Sequence, residues 1–368
     1  MSHTAPFRAD EVGSLLRPTE LKQARAARAA GSISSKQLQA VEDQCIRDAV
    51  RKQEAIGLQA VTDGEFRRAW WHFDFLAGLE GVELVQGEKS IQFHGVQTKA
   101  ESIAVTGKVD FSEHPMLAHF RFLKEVARVT PKMTIPSPSV LHFRGGRAAI
   151  SKTVYPDLDA FYHDTAEAYR KAVSAFYEAG CRYLQFDDTV WAYLCSEKER
   201  AAARARGDDP DPLPEIYAGM INHALAEKPA DMTITTHVCR GNFRSSWIAE
   251  GGYEPVAETL LAGTNYNGYF LEYDTERAGG FEPLRYLPKG DKRVVLGLIT
   301  SKFGELEDKD AVKRRIEEAS QYASINQFCL SPQCGFASTE EGNILSEEHQ
   351  WRKLAFIVET ANEVWGEL

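Results

Sequence analysis

No apolar run in the 368 residues approaches the roughly 20 needed to cross a bilayer. The opening MSHTAPFRADEVGS has neither a basic stretch leading into an apolar one nor a cleavage site, so no targeting segment is expected. Positive charge is also short: 43 Lys and Arg stand against 53 Asp and Glu, for a formal charge of −10 with the signs interleaved. That balance argues against nucleic acid or an anionic membrane as partner. Cysteines number six, at 45, 181, 195, 239, 329 and 334, without a framework spacing. A disulfide-stapled secreted fold is excluded, and a reducing, cytoplasmic setting is expected. Repeats and low-complexity tracts are lacking too. What remains, 43% hydrophobic and 26% charged residues, is an ordinary globular composition.

Short β-rich runs alternate with helical patterns along the whole chain. Strands are predicted at 7–14, 58–65, 132–139, 182–188, 232–239, 267–274, 293–300 and 325–332. Between them, 34–57, 158–180 and 308–323 place apolar residues at three- and four-residue spacing, the first two stopping at Gly57 and Gly180. The last helix is predicted to start after Ser346 as N-cap, with Glu348 close behind. Strand then helix, eight times, reads as one (β/α)8 TIM barrel spanning residues 1–368. Residues 81–118 alternate without helical period and are expected to form a β-hairpin inserted after strand two. The charged stretch 196–214 reads as a surface helix and loop.

Barrel enzymes build their sites at the carboxyl ends of strands. Here those ends carry Ser14, Asp63 with Glu65, Ser137, Asp187 with Asp188, His237 with Cys239, Glu272 with Asp274, Thr300 with Lys302, and Cys334. In THVCRGN, a strand's period of two sets His237 and Cys239 on one side. With Glu272 and Cys334 they offer one nitrogen, two sulfurs and one oxygen, a set suited to tetrahedral Zn²⁺; separate structural roles for the four residues are the alternative. Two thiolates make a mild Lewis acid, better at holding another thiolate than at making hydroxide, which points to a thiol substrate.

VGS near the start, TDGE, LQFDD, the H-x-C of THVCRGN, the Glu of YFLEYD and SPQCGF, in that order, resemble the catalytic barrel of cobalamin-independent methionine synthases. The resemblance runs from about residue 8 to the C-terminus. It implies zinc on His237, Cys239, Glu272 and Cys334, and homocysteine held by Ser14, Glu65 and Asp187. The hydroxyl and amides of VGS would take the carboxylate and the two acids would grip the ammonium. The chain departs from the family pattern in lacking an extra N-terminal barrel. It has Thr300 and Lys302 in LITSKFGE near strand seven, and His142 near the place of a folate-stacking Trp. Lys302 is then the cation expected near the methyl carrier, able to hold a carboxylate or donate a proton. The donor would be methyltetrahydrofolate or a methylcorrinoid, the latter expected to be faster. Single-barrel relatives that add coenzyme M to epoxides, corrinoid-dependent thiol methyltransferases and a purely structural zinc barrel are the alternatives. Oligomeric state is left open.

Overall fold

The computed structural model describes residues 4–86, 92–93, 96–97 and 101–366. Along it run β1 (Ala60–Val61), β2 (Glu80–Gln86), β3 (Gln92–Phe93), β4 (Val96–Gln97), β5 (Glu101–Asp110), β6 (Thr130–Pro136), β7 (Tyr183–Asp188), β8 (Thr233–Val238), β9 (Gly268–Glu272), β10 (Arg293–Ile299) and β11 (Phe328–Pro332). Seven of these form one curled sheet in the order β1-β6-β7-β8-β9-β10-β11, every pairing parallel. All residues of β7, β9 and β11 are buried, as expected of a parallel sheet covered on both faces. Among the described residues no helix is long and apolar enough to cross a membrane.

The predicted first strand, 7–14, is not a strand. It touches the sheet edges through two isolated parallel bridges, Ala9 to Leu330 and Ser14 to Gly64. The reason is local: the Asp10 carboxylate accepts from the Phe7 and Glu11 amides at 3.0 and 2.8 Å, taking donors that a ladder would need. The segment is anchored instead by side chains. Asp10 accepts from Tyr183 Oη at 2.8 Å and pairs with Lys132 Nζ at 3.1 Å, both members of the ion pair fully buried. The run 58–65 forms a strand only at Ala60 and Val61, with Gly64 in the isolated bridge to Ser14, and 325–327 is a 3-10 turn ahead of β11.

Helices start where capping chemistry allows. Ser34 forms a reciprocal box with Gln37 ahead of Ser35–Ala55, Asp157 caps Leu158–Glu178 and Asp308 caps Lys309–Ala319. Ser346 caps Glu347–Trp365 as expected, and its box partner is His349. The first two helices end before Gly57 and Gly180, at φ +94° and +98°. Residues 197–205 form the expected short exposed helix. Strict strand-helix alternation breaks after β8 and β9, where the described connections hold a single π turn (Glu258–Ala262) and two 3-10 turns. Pro283 opens the second 3-10 turn, where its missing N–H costs nothing, and Pro255 and Pro288 lie outside the helical turns.

In the predicted excursion, β2 and β5 pair antiparallel outside the main sheet, from Val82 opposite Val105 to Gln86 opposite Glu101. Of the residues between them, only 92–93 and 96–97 are described, and these pair antiparallel as β3 and β4. Its far boundary differs from the expected 118, because Pro115 opens a helix, Pro115–Val126, capped by His114.

Candidate metal centre

Four carboxyl-end residues of β8, β9 and the turn after β11 converge. One donor atom each from His237, Cys239, Glu272 and Cys334 lies within 4.8 Å of the others, and all four side chains are buried. The two sulfurs are 3.5 Å apart, close to the roughly 3.8 Å expected when two thiolates share a tetrahedral zinc at about 2.3 Å. Both ring nitrogens of His237 and Oε2 of Glu272 are buried without a hydrogen-bond partner among the described residues. Such orphans are costly unless something else completes them. Glu272 Oε1 is fixed by the Arg240 amide at 2.9 Å, and Cys239 Sγ accepts from the Gly241 amide at 3.3 Å. The donor set and its unpaired atoms fit a divalent zinc ion.

The electrostatics point the same way. The hydrogen bond from Cys239, with His237 beside it, holds the Cys334 thiol well below its ordinary value, while the same bond raises Cys239. Burial lifts Glu272 to about 7, against the pull of Lys302. His237 is lowered by burial but raised more by Cys334, Asp187 and Glu272 together. A dry site with this many acidic groups needs either protons or a cation.

Six sequence-predicted residues line one cleft of about 550 Å³: Ser14, Glu65, Asp187, His237, Cys239 and Cys334. Glu65 has φ +60°, a strained backbone held by its amide donating to Asp63 Oδ1 at 2.8 Å. Its Oε1 accepts from Thr134 Oγ1 at 2.8 Å and faces Arg68 at 3.5 Å, while Oε2 is buried and unpaired. Asp187 sits opposite His237 in the β7-β8 register, and burial, with Glu65 adding to it, raises it to about 7 against the pull of His237. Its neighbour Asp188 instead accepts from Ser139 Oγ and the Val190 amide, a structural role. Ser14 Oγ accepts from the Ala337 amide at 3.3 Å. A Cβ on Gly335 would lie 2.0 Å from that oxygen, so glycine lets the Cys334 turn press against Ser14. Arg17, fully buried, ties these segments together by donating to the carbonyls of Leu15, Ala337, Glu65 and Arg68 at 2.6 to 3.2 Å.

Lys302 is buried, its Nζ without a partner among the described residues, and its charge acts on Glu272, Cys239 and Cys334. It does not line the cleft. Nor does His142, whose buried ring lies between Tyr217 Oη at 2.6 Å and Tyr162 Oη at 3.2 Å. The residue two further on, Arg144, is on the cleft wall with Trp70, Trp71 and Tyr193. Sequence reasoning missed these four. The FRRAWW cluster directly after TDGE was the available signal, because it starts at a site-bearing strand end.

The chain belongs to the cobalamin-independent synthase family, whose catalytic-domain model matches residues 7–356. It is 58% identical over 362 residues to the uncharacterized protein YxjG of Bacillus subtilis, covering 98% of this chain and 95% of that one. A crystal structure of the putative vitamin-B12 independent methionine synthase from Listeria monocytogenes matches with TM-score 0.81, 46% identity and 99% coverage of both chains. The methionine synthase of Sulfurisphaera tokodaii is 24% identical over 332 residues, 88% of this chain and 84% of its own. The fold and family are therefore those of a methionine synthase-like methyltransferase.

Proposed function

We propose that this protein transfers a methyl group to the sulfur of homocysteine, giving methionine, at zinc held by His237, Cys239, Glu272 and Cys334. The observation that carries the reading is the convergence of those four donors beside a cleft that also presents Ser14, Glu65 and Asp187. Bound there, zinc would keep the substrate sulfur ionised and nucleophilic at neutral pH. Ser14 and its neighbouring amides receive the amino acid carboxylate, and the free Oε2 of Glu65 and the Asp187 carboxylate grip the ammonium. The sulfur then donates a lone pair to the methyl carbon as the bond from methyl to carrier breaks, its electron pair leaving with the carrier. Lys302 offsets the surplus negative charge of two thiolates and Glu272, and we assign it as proton source for a carrier that needs one. We read residues 1–368 as one cytoplasmic (β/α)8 domain in which segment 7–14 fills the eighth strand position.

The test pairs metal analysis with turnover. One zinc per chain, with a zinc-edge absorption spectrum that gains a sulfur neighbour on adding homocysteine, is expected. Absence of zinc, or a spectrum indifferent to the thiol, refutes the proposal.

A further inference from the structure

The cleft is not uniformly acidic. Among the residues lining it, Arg144 is the one Lys or Arg. It is half-buried, and among the described residues the one hydrogen bond of its side chain runs from Nε to His72 Nε2 at 3.3 Å. His72 is immobilised in a stack, 4.5 Å from the Trp71 ring and 3.9 Å from the Phe73 ring. Burial, then the Arg144 charge, pushes the His72 imidazole well below its ordinary value, so it stays neutral and accepts at Nε2. The guanidinium is thereby oriented through Nε alone. Its two terminal nitrogens have no acceptor among the described residues, and they are the edge that binds a carboxylate or phosphate bidentately.

Arg144 and Tyr193 also form the wall shared with a second cavity of about 660 Å³. That cavity adds Lys198 and Arg206 against a single carboxylate, Glu199. Arg206 is partly engaged, lying 3.5 Å from Asp208 and 5.3 Å from the Phe143 ring, whereas Lys198 has no carboxylate partner among the described residues. The cleft that carries the cysteine pair, Trp70 and Trp71 is thus bordered, across Arg144 and Tyr193, by a basic annex.

We propose that Arg144, positioned by His72 and extended by Lys198, recognises an anionic group, carboxylate or phosphate, on the methyl donor. The inference rests on the proposed function: the amino acid head is served by Ser14, Glu65 and Asp187, which leaves the cation for the second substrate. Two carriers bring that chemistry, a folate with its glutamate carboxylates and a corrinoid with its nucleotide phosphate.

The experiment titrates methyltetrahydropteroyltriglutamate and, separately, methylcobalamin into the zinc-loaded full chain, in wild type, Arg144→Gln, Arg144→Lys and Lys198→Gln. Zinc content and homocysteine affinity are measured in each. Arg144→Gln is expected to lose at least tenfold in affinity for one carrier and Lys198→Gln about threefold. Arg144→Lys should recover part of the loss, with zinc and homocysteine unchanged. The carrier that shows the loss identifies the source of the anion. Unchanged binding of both carriers in Arg144→Gln, or no binding of either by wild type, overturns the inference. So does a loss confined to homocysteine or to 2-mercaptoethanesulfonate, since Arg144 would then serve the thiol. A wild type that binds neither zinc nor homocysteine refutes the function itself, a result these outcomes keep separate.

Discussion

Replacing Glu65 by Gln isolates one charge at the thiol's amino acid end. Glu65 uses Oε1 on Thr134 and Arg68, while Oε2 is buried with no hydrogen-bond donor among the described residues. That free oxygen is the one an ammonium would take. Losing a charge-assisted hydrogen bond costs about 1.5–3 kcal/mol, which at about 1.4 kcal/mol per decade is roughly a 10- to 150-fold rise in the homocysteine Kd. Arg17 and Arg68 keep their carbonyl acceptors in the variant, so the fold has little reason to move. Glu65 supplies no metal donor either, so zinc content should hold. Calorimetric titration of the zinc-loaded protein with L-homocysteine and with 4-mercaptobutyrate, the same thiol acid without its amine, separates the contributions. The substitution should weaken the first and leave the second nearly unaltered. Equal losses for both thiols, or none for either, would refute the assignment of Glu65 to the ammonium.

Cys239→Ser and Cys334→Ser should each lose tightly bound zinc and methionine formation together, because a neutral hydroxyl replaces a thiolate, while Cys45→Ser and Cys181→Ser keep the metal; zinc assay of the purified variants decides it. In side-by-side turnover assays, monoglutamyl methyltetrahydrofolate should be slow or inert and a methylcorrinoid faster; rapid folate turnover that disappears in Lys302→Ala would reverse that expectation. Burial lowers His142 from 6.5 to about 4, so the native state refuses a proton that the unfolded chain accepts. Its contribution is intact above about pH 6.5 and lost as pH falls toward 4, about 3 kcal/mol in all. Urea unfolding from pH 7 to 4.5 should show a shallower decline in His142→Gln, and parallel profiles would contradict the burial argument.

The elements legible in the sequence were those written in local chemistry. Ser346 announces a helix because its side-chain oxygen answers an amide three residues on, and apolar spacing placed the helices that Ser34, Asp157 and Asp308 are found to cap. His237 and Cys239 could be paired from a strand's period alone. Segment 7–14 misled because its apolar spacing suits a strand, whereas the Asp10 carboxylate consumes the amides. The burial of Lys302 and the arrival of Arg144, rather than His142, on the cleft wall depend on how loops pack against one another, which carries no sequence period. The same holds for Trp70 and Trp71, placed by a short turn after Glu65.

Arg17 gives the molecule a property that reaches beyond its local contacts. The carbonyls it gathers belong to the chain's opening segment, to the stretch that carries Glu65, and to the loop after Cys334. On the proposed function, peeling the opening segment from the sheet edge would therefore also disturb the grip on the amino acid, making the two events one thermodynamic linkage. A ligand present at a hundred times its Kd suppresses that opening by about 2.7 kcal/mol, roughly a hundredfold slowing of exchange at amides exposed through it. Substrate thus acts as a latch on the first turn of the chain, and the structural closure of the protein is tightest while it is at work.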